Sequence, residues 1–221
     1  MSNEEMLAKV DHTLLKPYAT WADIRQICED AIAYHTATIC IPPSYIGRIR
    51  EAYGDQVTIC TVIGFPLGYQ VTEVKVAEAK KALEDGASEI DMVINIGDAK
   101  GGRFDAVTEE IRTLKKAVGD HVLKVIIETC YLTEEEKIEL CHCVTEAGAD
   151  FIKTSTGFGS AGANLEDVKL LRANVGPQVK VKAAGGIRSI ADMEDFINAG
   201  ADRLGTSSAI QLIKGENSSG Y

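Results

Sequence analysis

Glu146-Ala-Gly-Ala-Asp-Phe-Ile-Lys-Thr-Ser-Thr-Gly157 decides how the chain is read. Its first half ends a helix, since a glycine just past a periodic apolar run is the usual left-handed stop. Its second half, Asp150 to Thr154, is a short β-prone run closed by a small polar turn. Side chains alternate along a strand, so Phe151, Lys153 and Ser155 share one face, and Ile152 and Thr154 the other. The same helix-stop, turn and strand-start pattern recurs as Glu84-Asp-Gly-Ala-Ser-Glu-Ile90 and Asn198-Ala-Gly-Ala-Asp-Arg-Leu204. Self-similarity of this kind marks a stacked or closed repeat architecture.

Outward from that stretch, strand-like and helix-like segments alternate from end to end. Strands are expected at Ala8 to Thr13, Ala37 to Ile41, Val57 to Ile63 and Ser88 to Asn95. Four more are expected at Val122 to Glu128, Asp150 to Thr154, Val179 to Ala184 and Asp202 to Thr206. Between them, Thr20 to Asp23 and Thr133 to Glu136 read as capping boxes, and Asn164 to Asp167 and Ser189 to Asp192 start helices in the same manner. Val76, Ala79 and Leu83 form an apolar stripe that stops at Gly86. Eight strand–helix units in 221 residues predict an α/β fold, a compact (β/α)8 TIM barrel in one domain over 1–221, with 215–221 as a flexible tail. An open doubly wound sheet is the alternative, but no G-x-G-x-x-G follows the first strand and no Walker A motif is present.

Composition narrows the function classes. Hydrophobic content of 45% and charged content of 25% are those of a soluble globular protein. A net charge of −10 argues against nucleic acid and against anionic membrane surfaces as partners. It leaves room for an anionic small molecule, because local basic groups and backbone amides outweigh the global charge at short range. No apolar run reaches membrane-span length and Met1 to Val10 lacks a signal-peptide pattern, so a cytoplasmic protein is expected. The six cysteines include no C-x-x-C pair. Cys141-His-Cys143 looks metal-like, yet in a helix i and i+2 face apart, so buried free thiols are the better reading.

Alternation then sorts the strand residues. Ile90, Met92 and Ile94 form an apolar face suited to covering by helices, leaving Glu89, Asp91, Val93 and Asn95 on the other. By the same rule Lys124, Ile126 and Glu128 point inward, as do Lys180, Lys182 and Ala184. Asp91, Lys124, Lys153 and Lys182 therefore stand in register on four consecutive strands, where a purely structural barrel would place Val, Ile and Leu. Any one of these lysines could be a salt-bridged or snorkelling side chain. Together they suggest amine chemistry: burial and a neighbouring ammonium both disfavour a lysine's charged form, freeing an amine to form a Schiff base with a carbonyl. Asp91 is then a proton carrier, a counter-ion to the lysines, or both. Gly157, Gly185-Gly186 and Gly205-Thr-Ser-Ser208 follow the last three strands. They read as tight turns that cradle a phosphate on backbone N–H groups, with Ser207 and Ser208 adding hydroxyls and capping the last helix.

These residues resemble a known family. Phe151-Ile-Lys-Thr-Ser-Thr-Gly157, Lys180-Val-Lys-Ala-Ala-Gly-Gly-Ile-Arg188 and Glu89-Ile-Asp-Met-Val-Ile-Asn95 are similar to the signature strands of the deoxyribose-phosphate aldolases. The likeness runs from Val10-Asp-His-Thr-Leu-Leu15 through Ile59-Cys-Thr-Val-Ile-Gly-Phe-Pro66 to Gly205-Thr-Ser-Ser208, nearly the whole chain. The resemblance implies a class I aldolase, without metal or cofactor, that splits 2-deoxy-D-ribose 5-phosphate into acetaldehyde and D-glyceraldehyde 3-phosphate. It implies that Lys153 forms the Schiff base, that Lys182 perturbs it and moves protons, and that Asp91 transfers protons. Lys124 would support the relay, Asp11, Thr13 and Thr154 would lie near substrate, and Gly157, Gly185, Gly186, Ser207 and Ser208 would hold the phosphate. Phe158 stands where some members carry a lysine, and Tyr221 closes a tail whose last tyrosine reaches the site in relatives. A homo-oligomer, dimer or higher, is expected. Two competing readings are another imine-forming barrel enzyme on a different phosphorylated carbonyl compound, and a non-catalytic sugar-phosphate-binding barrel.

Overall fold

The computed structural model describes residues 1–215, leaving Tyr221 and most of the expected tail outside the described residues. Eight parallel strands close into a barrel in sequence order. They are β1 (Val10–Thr13), β2 (Thr38–Ile41), β3 (Ile59–Ile63), β4 (Glu89–Val93), β5 (Val122–Ile126), β6 (Phe151–Lys153), β7 (Lys180–Ala184) and β8 (Arg203–Thr206). Closure pairs β8 with β1, setting Gly205 against Asp11. No helix among the described residues is long and apolar enough to cross a membrane.

Local signals place the helices. Thr20, Thr133 and Ser189 each close a full capping box, satisfying backbone donors that the first turn leaves orphaned. Asn164 caps by accepting from the Asp167 N–H. The three repeats behave alike: helices end at Glu84, Glu146 and Asn198, Gly86, Gly148 and Gly200 take positive φ, and strands resume at Glu89, Phe151 and Arg203. The helix over Thr72–Glu84 departs from its stripe. Ala79 is buried, but its buried neighbours are Lys75 and Ala82, while Val76 and Leu83 are half-buried.

Strand alternation divides the interior in two. Ile39, Ile59, Ile90, Met92, Leu123, Val125, Ile152, Val181 and Leu204 face outward into one continuous apolar layer beneath the helices. That layer drives closure, at about 25 cal/mol for each Å² of apolar surface removed from water. Inside, Leu15, Cys40, Cys60 and Val62 make a small separate cluster, and buried charged side chains share the rest with Val93, Ile126, Phe151 and Ala184. Cys141 and Cys143 are buried thiols that approach different carbonyls, Leu171 and Phe104, and burial pushes Cys141 up to about 12.

Two expected strands stop two residues early. β4 ends at Val93 because Asn95 turns to cap the helix Ile96–Lys100. β5 ends at Ile126 because Glu128 adopts a left-handed backbone. The register expectation is corrected as well. Asp91 pairs with Lys124 and Lys153 with Lys182, but across β5 and β6 Lys124 pairs with Phe151 and Ile126 with Lys153. The four residues form two matched pairs offset by one pleat, because strands in a closed barrel are tilted and staggered.

Candidate active site

Asp91 is the hub of the barrel interior and is fully buried. Its Oδ2 accepts from the ammonium groups of Lys153 and Lys182, each at 2.8 Å, and its Oδ1 accepts from Lys124 at 2.9 Å. The Cys60 thiol donates to the same Oδ1 at 3.1 Å. Lys153 and Lys182 therefore face the same side of the sheet, no farther apart than two hydrogen bonds placed end to end. Asp11 is the second anchor. It ion-pairs with Lys182, lies 3.6 Å from Lys124, and accepts from Arg203 at 2.6 Å and from the Thr38 hydroxyl at 2.8 Å. Glu89 completes the floor, 2.6 Å from Lys124 and 3.4 Å from Arg203.

The electrostatics follow from this count. Burial alone would raise the Asp91 carboxyl, yet Lys124, Lys153 and Lys182 hold it well below the usual carboxylate range. Asp11 is lowered in the same way, against its own burial, by Lys182, Lys124 and Arg203. Burial works against the Lys182 ammonium too, but Asp11 and Asp91 keep it above the ordinary lysine range. Lys124 is likewise held charged, against burial, chiefly by Asp91 and further by Asp11 and Glu89. Lys182 thus has two carboxylates and Lys124 three, while Lys153 has one, shared with Lys182. Four cations (Lys124, Lys153, Lys182, Arg203) face three carboxylates (Asp11, Glu89, Asp91). Lys153 therefore has the fewest carboxylate contacts of the three lysines.

Among the described residues two groups could be taken for metal sites, Cys40 with Cys60 and Asp91, and Asp11 with Cys60 and Glu89, the ligand atoms of each lying within 4.8 Å of one another. The Lys124 ammonium already stands against Cys60, Asp91, Asp11 and Glu89, so a metal ion there would meet a fixed positive charge.

The remaining residues sort by depth. The Thr13 hydroxyl donates to the Asp11 carbonyl at 2.8 Å. The Thr154 hydroxyl staples β6 to β7, accepting from the Ala184 N–H and donating to its carbonyl. It faces away from Lys153, as alternation requires. At the C-terminal rim, Gly157, Gly185 and Gly186 all take positive φ, and Gly185, Gly186, Ile187, Gly205, Thr206, Ser207 and Ser208 line one small recess. A Cβ on Gly185 would come within 3.2 Å of Gly162 Cα and 3.5 Å of Gly157 Cα, so these turns need glycine to pack. Ser208 does not cap the last helix with its side chain. Its own backbone is already helical, and its N–H turns back to the Thr206 hydroxyl. Phe158 packs edge-on against Phe65 across the rim, at 5.4 Å between ring centroids.

Alternation had placed Glu89 inside without giving it a role, and had left Arg203 and Cys60 unremarked. Arg203 starts β8 and shares its inward face with Gly205, so the same rule would have found it. Its partner Asp11 is 192 residues away, a distance that only closure removes.

A family model described as DeoC/LacD family aldolase matches residues 5–210. A deoxyribose-phosphate aldolase of Clostridium botulinum (strain Alaska E43 / Type E3) is 65% identical over 221 residues, the full length of both chains. One from Clostridioides difficile (strain 630) is 56% identical, over 99% of this chain and 100% of the relative. The tetrameric structure of a deoxyribose phosphate aldolase from Aeropyrum pernix superposes with a TM-score of 0.89 at 35% identity, covering 97% of this chain and 92% of that one.

Proposed function

The chain belongs to the DeoC/LacD family of aldolases, and from that premise we propose that its charged barrel interior cleaves 2-deoxy-D-ribose 5-phosphate reversibly to acetaldehyde and D-glyceraldehyde 3-phosphate. The observation that carries this reading is the shared Asp91 oxygen, 2.8 Å from both Lys153 and Lys182. Lys153, as a neutral amine, attacks the aldehyde carbon of the open-chain sugar. A proton from the Lys182 ammonium lets the carbinolamine hydroxyl leave as water, and an iminium forms. The C3 hydroxyl proton passes to the Asp91–Lys182 pair as the C2–C3 bond breaks. The bonding electrons move to the iminium nitrogen, leaving an enamine on Lys153 and releasing D-glyceraldehyde 3-phosphate. Reprotonation of the enamine carbon and hydrolysis release acetaldehyde and restore the amine. The iminium is the electron sink, so no metal or other cofactor is needed.

Asp91, held anionic by the lysines around it, acts as a relay between them rather than as a stored acid. Lys124 and Asp11 keep that relay oriented. Gly157, Gly185, Gly186, Ser207 and Ser208 receive the phosphate through backbone N–H and hydroxyl donors, with Thr13 close to the sugar. Six free cysteines and the lack of a membrane-spanning helix among the described residues suit a cytoplasmic enzyme, and the tetrameric relative supports a homo-oligomer.

The test is intact mass after incubation with acetaldehyde and borohydride, followed by peptide mapping. One reduced two-carbon adduct is expected, on Lys153. An adduct elsewhere, or none with any aldehyde in a panel of phosphorylated carbonyl compounds, would defeat the reading.

A further inference from the structure

Glu128 is a buried carboxylate to which the chemistry above gives no task. It follows β5 at the C-terminal rim, is 2% exposed, and has φ 56° and ψ 66°. His35, at a helix end, is the one other described non-glycine residue with positive φ. That conformation crowds an ordinary Cβ, so a glutamate stays there only if its surroundings hold it.

Thr156 does the holding. The Glu128 carboxylate accepts from the Thr156 N–H, 3.1 Å to Oε1 and 3.3 Å to Oε2, and also from the Thr156 hydroxyl. That hydroxyl in turn accepts from the Phe158 N–H at 3.0 Å. One carboxylate therefore ties down the turn on both sides of Gly157. Behind it the backbone leaves no slack: a Cβ on Gly159 would meet Glu128 Cδ at 3.1 Å and Cys130 Sγ at 2.8 Å. The residue type is specific. A carboxylate can accept an N–H and an O–H together. An amide would keep its oxygen for the Thr156 N–H but set an NH2 donor where the Thr156 O–H now donates, so that hydroxyl would have to turn or lose its bond. Backbone N–H groups have no rotamers, so whatever fixes the turn fixes where they point.

We propose that Glu128 is a positioning residue for the substrate's phosphate, its carboxylate setting the Thr156–Phe158 turn so that the Gly157 N–H is aimed into the recess formed by Gly185, Gly186, Ser207 and Ser208. It touches neither substrate nor reacting atoms. The inference rests on the phosphate reading of that recess given above.

The test compares wild type with Glu128→Gln, Glu128→Gly and the near-isosteric Thr156→Val. It measures kcat and KM on 2-deoxyribose 5-phosphate and on unphosphorylated 2-deoxyribose, inhibition by inorganic phosphate, and borohydride trapping of acetaldehyde. All three variants should raise the KM for the phosphorylated sugar and the phosphate inhibition constant about tenfold, as one misaimed hydrogen bond would, and leave trapping and deoxyribose turnover within about twofold. Glu128→Gly separates the two roles of the residue, since glycine keeps the left-handed backbone without the carboxylate. A wild-type KM in that variant or in Thr156→Val would overturn the proposal, as would equal losses on both sugars or slowed trapping. Should wild type fail to prefer the phosphorylated sugar, the phosphate reading falls and takes this inference with it, a result visible without any variant.

Discussion

Lys75, on the helix Thr72–Glu84, and Lys153, on β6, are both withdrawn from solvent and both donate to a carboxylate, at 2.9 and 2.8 Å. Their surroundings differ in kind. Lys75 pairs with Glu110, which also accepts from the Thr72 hydroxyl and the Asn95 N–H, and ends on the Val93 carbonyl at 2.8 Å. Its stem is sealed beneath Gly64, where a Cβ would sit 2.8 Å from Lys75 Cε. Burial pushes Lys75 down, and Glu110 only partly restores it. Lys153 shares one carboxylate oxygen with Lys182, among four cations and three carboxylates. A search for the lysine with a lowered pKa would stop at Lys75. The lysine that shares its carboxylate oxygen with a second lysine is Lys153. A desolvated lysine by itself therefore does not pick out the proposed nucleophile; a carboxylate oxygen shared with a second lysine does.

The largest effect expected to test this contrast is Lys153→Ala, which should abolish aldehyde trapping and retro-aldol turnover while the barrel stays folded by circular dichroism. Residual trapping at wild-type rate would move the nucleophile elsewhere. Next is Lys182→Met, which removes the proposed proton donor and the second cation on Asp91. Turnover should fall roughly 10²–10⁴-fold, the range general acid–base catalysis supplies. An unaffected rate at neutral pH would end Lys182's role.

Lys75→Met should do the opposite, leaving kcat within about twofold and lowering unfolding free energy by roughly 3–5 kcal/mol, because Glu110 is left buried and unpaired. Adding Glu110→Leu should recover most of the loss in urea melts. A large drop in kcat in the folded Lys75→Met protein would erase the distinction drawn here. Alkaline titration gives a smaller effect. Lys75 is held below 10.5 in the folded chain, so between its folded value and 10.5 the unfolded state binds more protons and stability rises with pH. Lys182, held above 10.5, contributes stability that is lost only as pH passes its higher folded value. The stability gap between wild type and Lys75→Met should therefore widen as pH approaches 10.5, and a narrowing gap would contradict the assignment. Smallest of all is chelation: excess EDTA should change the initial rate by less than about a tenth, since the ammonium of Lys124 holds the place a metal would need.

Much of this was legible in residue order. The helix stops at Gly86, Gly148 and Gly200, the capping boxes and the period-two faces are local properties, set by backbone sterics and by which side of a strand must be apolar. From those, eight βα units and the inward positions of Asp91, Lys124, Lys153 and Lys182 follow without coordinates. Local rules have nothing to say about partners. The Asp11–Arg203 pair, the offset between Lys124 and Lys153, the burial of Lys75 and the left-handed Glu128 all depend on which strand or turn arrives alongside. The chain alone thus determined which side chains enter the barrel. Closure decided how many carboxylates each ammonium receives, because Coulomb energy depends on distance through space rather than along the chain.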